Sequence, residues 1–512
     1  MPEEKFQPTP DILAAGRTNI GNLFAQQVRA KPNVVALACG SIQRTYAELN
    51  ERINRMANAL TGMGLTSGDR LALISRNRAE YLEIQLAAAK IGVIAACINW
   101  RLVGEELIYC IELVSPELVI LQDDYAKVLS ETEYSLPDHL VLGSDYENTL
   151  ASSSPAEPNV AVSPEDGFLI LYTSGTTGLP KAAVISHRAM IARAMTGGTE
   201  VLLPFDDTFA AWTPLCHMGS TDPSVGTLLR GGKVLVIDGY DEEALLDAVA
   251  KEKIGWFIAV PGMTANFIAA LKRTETKVKG IGVVGVMPDL VPHQQIAEIT
   301  TLLDAPYLNS FGSTEVGFPP ATGRLIPVGT TPESMSKRQS SFCELRLIRL
   351  DGCEADIGEP GVLEVRGPTL FSGYWQAEET NAADFNNGWF RTGDMLRRNA
   401  DGTLDFVDRA KYMIKTGGEN VYPAEIEQVL LSAAEIEDAA VVRQADEKWG
   451  EIPIAFVVPA SDDLTADRVL QLCKQKLAGF KCPKVIHFIE TGDVPRSANG
   501  KIKRHELEAR LG

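Results

Sequence analysis

The stretch Leu171–His187 reads LYTSGTTGLPKAAVISH, and it concentrates hydroxyl groups, glycines and one lysine within a few positions. The apolar residues FLIL lead into it, and a second apolar run, AAVI, follows Lys181. Successive backbone N–H groups in a glycine-rich loop can surround an anion, while Ser, Thr and Lys add side-chain donors. Composition alone fits such an anion-binding loop and a flexible polar linker equally well.

Two nucleotide-binding patterns come close to matching this chain but do not fit it. The P-loop pattern GxxxxGK[ST] fails, because Gly175 and Gly178 lie three apart and Lys181 is not followed by Ser or Thr. The letters GIGVVG at Gly280–Gly285 match GxGxxG, yet these glycines lie inside an apolar run and Pro288 follows closely. A dinucleotide site needs a helix that opens from the glycines. We therefore predict a strand with close backbone packing here.

Length and composition limit the classes of protein that the chain can be. It has 512 residues, enough for two to four domains, with 45% apolar and 22% charged residues. The net charge of −19 argues against nucleic acid as a partner, because phosphate backbones require basic surface. Eight cysteines without CxxC spacing indicate reduced thiols rather than disulfides or a zinc site. With no signal peptide, lipidation signal or membrane-length apolar run, we expect a cytoplasmic protein.

The hydrophobic patterns indicate an α/β protein with two different C-terminal sections. Helix and strand patterns alternate down to about Ala321, which favours α/β layers with mostly parallel sheets. The letters TYAE at Thr45–Glu48 form a capping-box pattern before a helix. Short strands with Gly and Asp turns then indicate a β-rich section, and a small α+β unit follows Lys411. The segment Ala151–Pro164 is a surface linker by composition.

Together with the quoted loop, four further motifs resemble those of the acyl-adenylate-forming superfamily. That superfamily includes acyl- and aryl-CoA synthetases, peptide-synthetase adenylation domains and firefly-type luciferases. The motifs are FGSTEVG (Phe311–Gly317), WFRTGD (Trp389–Asp394), DRAKYMIKTGGENVYPAEIE (Asp408–Glu427) and PRSANGKIKR (Pro495–Arg504). They occur in the family's order, and the resemblance covers nearly the whole chain.

The resemblance implies a fold and a domain organisation. The expected fold is α/β, with a large N-terminal region of two α/β subdomains and a β-rich subdomain, followed by a small mobile α+β domain. The N-terminal adenylate-forming (AMP-binding) domain would span residues 1–409 and the C-terminal domain residues 410–512, with a hinge near Lys411. In relatives, the small domain alternates between two poses about this hinge.

The resemblance also implies a reaction in two halves. A carboxylate attacks the α-phosphate of ATP to give an acyl-adenylate and pyrophosphate, and coenzyme A then takes the acyl group and releases AMP. Mg²⁺ would be the metal, fatty acid metabolism is one setting, and the partners would be the acid, ATP and coenzyme A, without nucleic acid or a membrane segment. The alternatives are an adenylating enzyme that loads a separate carrier-protein thiol, a luciferase-like oxygenase and a catalytically inactive nucleotide sensor.

The nucleotide-binding residues follow from the same resemblance. Thr176 and Glu315 would contact Mg²⁺ and count as catalytic, Thr314 would contact the α-phosphate, Phe311 would stack on adenine and Asp394 would accept the ribose hydroxyls. The other expected nucleotide contacts are Thr173, Ser174, Gly175, Thr177, Gly178, Lys181, Gly312, Arg409, Lys415 and Lys501. Taken alone, Glu315 would be a solvated loop carboxylate and Lys415 a surface lysine.

Catalysis and acyl transfer add a second group of expected residues. Lys501 would bridge the acid's carboxylate and the α-phosphate as charge builds between them. Gly417, Gly418 and Glu419 would line the coenzyme A path. The expected acyl-pocket residues are Trp212, His217, Met218, Met287 and Phe318. Met287 replaces a small residue usual in the family, and His217 fits an ordinary polar loop residue equally well.

Overall fold

The structure is a computed structural model that describes residues 8–132, 134–174, 180–417, 419–461, 463–496 and 502–511. The side chains of Ser174, Phe318 and Pro319 lie outside this description. Within these ranges, no helix combines the length and the apolar character needed to cross a membrane.

Residues 10–326 alternate helices and strands, as the sequence predicts. The helices are α1 (Pro10–Ala15), α2 (Ile20–Ala30), α3 (Tyr46–Gly62), α4 (Ala79–Ile91), α5 (Gly104–Val114), α6 (Asp123–Ser130), α7 (Ser144–Ser152), α8 (His187–Glu200), α9 (Met218–Arg230), α10 (Glu242–Lys251), α11 (Thr264–Thr274) and α12 (His293–Leu303). The strands are β1 (Val35–Cys39), β2 (Ile42–Thr45), β3 (Arg70–Ile74), β4 (Ile94–Ile98), β5 (Leu118–Gln122), β6 (His139–Leu142), β7 (Gly167–Ser174), β8 (Pro180–Ser186), β9 (Thr208–Ala211), β10 (Lys233–Val236), β11 (Ile254–Phe257), β12 (Ile281–Val284), β13 (Tyr307–Asn309), β14 (Gly312–Ser313), β15 (Gly317–Pro320) and β16 (Arg324–Ile326).

Two mostly parallel sheets organise this region, which confirms the predicted α/β layers. One sheet has the strand order β6-β5-β3-β4-β7-β8, and only its β7–β8 pair is antiparallel among the described strands. The other has the order β16-β13-β12-β11-β9-β10-β1-β2, with antiparallel pairs at its two edges. Central strands such as β4 are buried at every position, because helices cover both faces of a parallel sheet.

Local signals in the sequence place several of these elements. Thr45 caps α3, since its hydroxyl accepts from the Glu48 N–H and the Glu48 carboxylate accepts from the Thr45 N–H, so the capping box is confirmed. The GIGVVG segment forms β12, which confirms the predicted strand. A Cβ added at Gly282 would lie 2.6 Å from the carbonyl oxygen of Gly255 on the neighbouring strand, so the glycine permits close strand packing.

The β-rich section and the α+β unit also appear where the sequence predicts them. The first contains β17 (Glu344–Ile348), β18 (Pro360–Arg366), β19 (Phe385–Asn386), β20 (Trp389–Arg398) and β21 (Leu404–Arg409), with helix α13 (Glu378–Asp384). The second contains β22 (Ile414–Thr416), β23 (Glu419–Val421), β24 (Ile436–Asp446), β25 (Gly450–Pro459) and β26 (Val485–Phe488), with helices α14 (Pro423–Leu431), α15 (Ala466–Lys476) and α16 (Arg504–Glu508). Each section has its own sheet, and the sheet of β22–β26 has two apolar clusters packed against it.

The segment predicted as a surface linker, Ala151–Pro164, has no buried residue and, after Ser152, no helix or strand, which agrees with the prediction, but two details add to it. Its first two residues complete α7. Further along, Glu157 receives an ion pair from Lys90, whose side chain is only 3% exposed. The linker is therefore fixed against α4, because an unpaired buried ammonium would carry a large desolvation cost.

His187 begins α8 and gives folding stability a dependence on pH. Its ring is fully buried, its Nδ1 accepts from the Ile20 N–H at 3.2 Å, and burial lowers its pKa to about 4. The unfolded chain binds a proton near pH 6.5 and the folded chain near pH 4, so stability should fall as pH decreases through this window. The expected loss is roughly 3 kcal/mol.

Thermal unfolding of His187→Gln and of the unchanged protein between pH 7.5 and pH 4 checks this expectation. The variant should lose less stability on acidification, because it carries no titrating ring. Parallel pH curves for the two proteins would contradict it.

Candidate active site

The quoted glycine-rich loop joins two paired strands. Strands β7 and β8 form an antiparallel hairpin in which Thr173 faces Lys181 and Ser174 faces Pro180. Gly175, Thr176, Thr177 and Gly178, which are expected phosphate contacts, lie outside the described residues. Because both ends of the loop are paired to each other in one sheet, the segment closes a hairpin and is not a linker between domains.

Glu315 and Lys181 meet at Tyr374. The Glu315 carboxylate accepts from the Tyr374 hydroxyl at 2.9 Å and from the Ser313 hydroxyl at 2.8 Å. The Lys181 Nζ lies 4.6 Å from the centre of the Tyr374 ring and 3.9 Å from the Asp384 carboxylate. Burial and the neighbouring Glu315 raise the pKa of Tyr374, which keeps its hydroxyl protonated as a donor. No sequence signal singled out Tyr374 as part of this cluster.

Asp394 and Arg409 form an ion pair where β20 and β21 are paired. The Arg409 Nε donates to Asp394 Oδ1 at 2.7 Å, and the Asp394 residue is 4% exposed. The carboxylate of Asp394 raises the pKa of Arg409, with a smaller contribution from Glu315, so the guanidinium stays charged. A carboxylate has about four lone-pair positions, so Asp394 keeps acceptor capacity for ribose hydroxyls beside this contact.

Phe311 lies close to the turn that contains Met287. The Phe311 ring is 5.5 Å from the ring of Phe406, and the Ser310 hydroxyl accepts from the Met287 N–H at 3.2 Å. Met287 has φ of +47°, a left-handed conformation that Met rarely adopts. Gly312 forms the adjacent short strand. Adenine-stacking and acyl-pocket candidates therefore occupy neighbouring positions.

The remaining acyl-pocket candidates differ in their surroundings. Trp212 is 5% exposed and donates from its indole N–H to the Ile258 carbonyl oxygen at 2.9 Å, so it packs into the sheet end. His217 precedes α9 and Met218 begins it, and both are half-buried. The side chain of Phe318 lies outside the described part of the chain.

Gly417 and Glu419, two of the expected coenzyme A residues, lie where β22 and β23 form an antiparallel pair. Gly417 has φ of +58°, and its N–H donates to the Trp449 carbonyl oxygen at 2.8 Å. A Cβ at Gly417 would lie 2.7 Å from the Trp449 ring, which explains the glycine. Gly418 lies outside the described residues, and Glu419 is exposed at the start of β23. Trp449 was not singled out from the sequence.

Three predicted lysines complete the candidates from the hinge onwards. Lys411 is exposed in a 3₁₀ turn at Ala410–Tyr412, with its Nζ 4.9 Å from the Tyr412 ring centre. The backbone N–H of Lys415 donates to the Glu451 carboxylate, and its side chain is exposed. Lys501 lies outside the described residues.

The donor set suits a magnesium ion that phosphates also hold. Glu315 supplies one carboxylate, and the described residues contain no group of three or more His, Cys, Asp or Glu side chains that could hold a metal by themselves. Mg²⁺ usually takes one or two protein oxygens together with phosphate and water oxygens. Thr176, the second expected ligand, is outside the described residues.

Comparison with known proteins decides the family. The family described as AMP-binding enzyme matches residues 24–375, and the AMP-binding enzyme C-terminal domain matches residues 425–501. The chain belongs to the AMP-binding enzyme family. The family assignment confirms the resemblance seen in the motifs, together with the enzyme class of an AMP-forming acid–thiol ligase.

Relatives of this AMP-binding enzyme align over almost their whole length. The indoleacetate–CoA ligase of Aromatoleum aromaticum is 31% identical, over 93% of this chain and 95% of that protein. A feruloyl-CoA synthase of an Amycolatopsis species is 30% identical, over 96% and 99%. The solved o-succinylbenzoate CoA synthetase of Bacillus subtilis, in complex with its acyl-adenylate intermediate, is 25% identical with a TM-score of 0.82, over 96% and 98%.

Proposed function

We propose that this AMP-binding enzyme converts a carboxylic acid to its coenzyme A thioester at the site described above. In the first half, an oxygen of the acid's carboxylate bonds to the α-phosphorus of ATP, and the bond to the β-phosphate oxygen breaks to release pyrophosphate. In the second half, the sulfur of coenzyme A bonds to the acyl carbon, its proton is lost, and AMP leaves. The carrier-protein alternative is not favoured, since the relatives named above are CoA ligases.

The observation that carries this proposal is the contact set around Tyr374. It joins Lys181, at the end of the glycine-rich loop, to Glu315 in a different motif 134 positions away. Phosphoryl transfer depends chiefly on positioning and on neutralising charge, and this pair supplies an ammonium and a carboxylate for a metal in one place. The Asp394–Arg409 pair completes a site that has polar groups for phosphate and ribose.

Each residue then has a proposed role. Lys181 and the loop bind the β- and γ-phosphates, Thr314 contacts the α-phosphate, Phe311 stacks on adenine and Asp394 accepts from ribose. Glu315, with Thr176, would hold Mg²⁺, which neutralises phosphate charge when bound. The free cysteines, all within the described residues, support a reducing, cytoplasmic setting.

The proposed domain organisation has residues 1–409 as the adenylate-forming domain and residues 410–512 as a mobile C-terminal domain. Lys411 would be the hinge, because it lies in an exposed turn between β21 and β22. Rotation there would bring the Lys501 segment to the site for the first half-reaction and the Gly417 hairpin for the second.

Acid-dependent ATP–pyrophosphate exchange tests the function directly. The panel should contain indoleacetate, ferulate, o-succinylbenzoate, fatty acids of several lengths and amino acids, and each active acid should be incubated again with coenzyme A. Exchange together with thioester formation supports the proposal and identifies the acid class. Exchange without thioester would overturn the coenzyme A step, and no exchange with any acid would overturn the activity.

Gly417→Ala should impair thioester formation more than adenylation. The added methyl group would meet the Trp449 ring at 2.7 Å in a backbone conformation that disfavours side chains, so the β22–β23 hairpin must shift. We expect thioester formation from preformed acyl-adenylate to fall about tenfold or more, with pyrophosphate exchange nearly unchanged. Gly402→Ala, at an exposed positive-φ turn with open space, is the control, and equal losses in both half-reactions would contradict this role.

A further inference from the structure

Arg193 makes buried contacts with three separate parts of the protein. Its side chain, on α8, is only 1% exposed. The Nε donates to the Thr369 carbonyl oxygen at 3.0 Å, and Nη2 donates to the Thr314 carbonyl oxygen at 2.9 Å. The third contact is an ion pair, in which Nη1 lies 3.2 Å from Asp222 Oδ2 on α9. One planar group therefore connects three parts of the protein: the FGSTEVG motif (Phe311–Gly317), the segment that precedes Tyr374, and helix α9.

Arg193 contacts the FGSTEVG motif through backbone atoms of the motif. Arg193 Nη2 also donates to the Glu315 carbonyl oxygen at 3.4 Å. Gly317, where φ is +77°, packs so closely that an added Cβ would lie 2.4 Å from Arg193 Nε. The Glu315 carboxylate is bonded elsewhere, to Ser313 and Tyr374. Arg193 therefore fixes the turn that carries Thr314 and Glu315 and does not compete for the Glu315 carboxylate.

The contacts of Arg193 with Thr369 and Asp222 lead to two different parts of the candidate site. Thr369 begins a segment whose Phe371 N–H donates to the Glu315 carbonyl oxygen at 2.8 Å, and whose Tyr374 binds the Glu315 carboxylate. Asp222 lies one helical turn into α9, whose first residue is the acyl-pocket candidate Met218. Displacement of the guanidinium would therefore affect Glu315, the proposed metal ligand, together with α9, which begins at the acyl-pocket candidate Met218.

A contribution to folding stability does not by itself explain why the Arg193–Asp222 ion pair is buried here. Burying two charges carries a large desolvation cost, and such pairs often add no net stability over apolar residues. Four acceptors in different directions, by contrast, match the fixed fork of guanidinium N–H groups. A lysine ammonium has three donors at one point and cannot span these acceptors.

We propose that Arg193 is a positioning residue for adenylation, held in place by Asp222, and that it sets the backbone of Thr314 and Glu315 for ATP. This inference rests on the proposed roles of those two residues in binding the α-phosphate and the metal. Arg193 is enclosed by protein, with 1% of its side chain exposed, and would act through these two residues. Its loss should therefore appear in the binding and use of ATP rather than only in stability.

The test compares Arg193→Met, Arg193→Lys and Asp222→Asn with a matched control, Arg230→Met. Arg230 ends α9 and forms another largely buried ion pair, with Asp207 at 3.5 Å, among residues that the site does not use. For each variant, we would measure the unfolding temperature, the calorimetric Kd for ATP without acid, and the KM for MgATP and kcat of pyrophosphate exchange.

Arg193→Met should raise the Kd for ATP and the KM for MgATP and lower kcat, each about tenfold or more, because small displacements of positioning groups cost large factors in rate. Arg193→Lys should not restore these values, and Asp222→Asn, which keeps the side-chain shape, should give a smaller change in the same direction. Arg230→Met should lower the unfolding temperature without changing the KM for MgATP. If Arg193→Met does not fold, Asp222→Asn and Arg193→Lys carry the test.

Unchanged ATP parameters in the folded Arg193 or Asp222 variants would overturn the inference, as would equal changes in Arg230→Met. Calorimetry without acid separates this result from the proposed function. An unchanged protein that binds ATP but exchanges pyrophosphate with no acid would contradict the proposed activity, while the comparison of ATP affinities would still decide the role of Arg193.

Discussion

Lys501→Ala should lower acid-dependent ATP–pyrophosphate exchange by a factor on the order of 10²–10³, the usual cost of removing one preorganised group that stabilises transition-state charge. Two anionic groups, the acid's carboxylate and the α-phosphate, must approach each other in this step, and the proposed ammonium offsets their repulsion. Thioester formation from preformed acyl-adenylate should remain largely intact, because no second anion approaches the phosphate in that half-reaction.

The described residues before and after Lys501 in the chain indicate that this variant will fold. On one side, Arg496 forms an ion pair with Asp438 at 2.7 Å and an isolated β-bridge with Ile502. On the other, the buried Arg504 binds Glu427 at 2.9 Å. These contacts hold the chain at Arg496, Ile502 and Arg504 and use other side chains than the lysine.

Lys503→Ala is the matched control for Lys501→Ala. Lys503 lies two positions further along, is partly exposed and pairs with Glu506 at 2.7 Å. Its removal deletes one positive charge from the same segment and should leave exchange within about twofold, as expected for an exposed pair. Normal exchange in Lys501→Ala, or an equal loss in both half-reactions, would overturn the assigned role.

The sequence predicts the fold well where a signal is local. The capping box at Thr45 and Glu48 and the strand at Ile281–Val284 both depend on neighbouring residues, and both are confirmed. The segment Gly280–Gly285 also matches the dinucleotide-binding pattern GxGxxG. Pro288 argues against that pattern, because a proline so close to the glycines disfavours a long helix after them.

Prediction from the sequence fails for residues whose contacts join distant segments of the chain. Lys337, in the polar run SMSKRQ, resembles a surface lysine, yet its side chain is fully buried and pairs with Asp289 at 2.7 Å. Arg193 and Tyr374 were missed for the same reason, because the site partners Asp222 and Thr314 of Arg193, and Glu315 and Lys181 of Tyr374, lie between 29 and 193 positions away. Burial and pairing at such separations depend on how the sheets pack, which no short pattern records.

The candidate site shows the same difference between residues that local motifs predict and residues that only long-range contacts identify. Family motifs named Glu315, Asp394 and Arg409, and the structure brings Asp394 and Arg409 into contact. The group that connects Glu315 to the glycine-rich loop is Tyr374, which belongs to no motif used in the sequence interpretation. Motifs therefore identify groups proposed to touch ligands, whereas the groups that orient them appear only once the chain is folded.

Glu315→Gln should lower pyrophosphate exchange by a factor on the order of 10², the loss expected when one charged group at the reacting phosphates is removed. The substitution keeps the side-chain shape, and the amide oxygen can still accept from the Tyr374 hydroxyl. The backbone carbonyl that binds Phe371 is unchanged. The variant should therefore fold, and the effect isolates the negative charge.

The charge of Glu315 is proposed to act through Mg²⁺, which gives the prediction a second measurement. Titration of Mg²⁺ by calorimetry in the presence of ATP should show weaker binding to the variant, and added Mg²⁺ should recover part of the exchange rate. Tyr374→Phe removes one hydrogen bond but keeps the carboxylate, so its loss should be smaller, about tenfold.

Glu344→Gln is the surface control, because that glutamate pairs only with exposed Arg366 among the contacts described for it. Its exchange rate and its response to Mg²⁺ should match those of the unchanged protein. Glu315→Gln with a normal exchange rate at limiting Mg²⁺ would contradict the metal role. A loss in that variant that added Mg²⁺ does not relieve would instead assign the Glu315 charge to holding nearby cations such as Arg409, whose pKa it helps to raise.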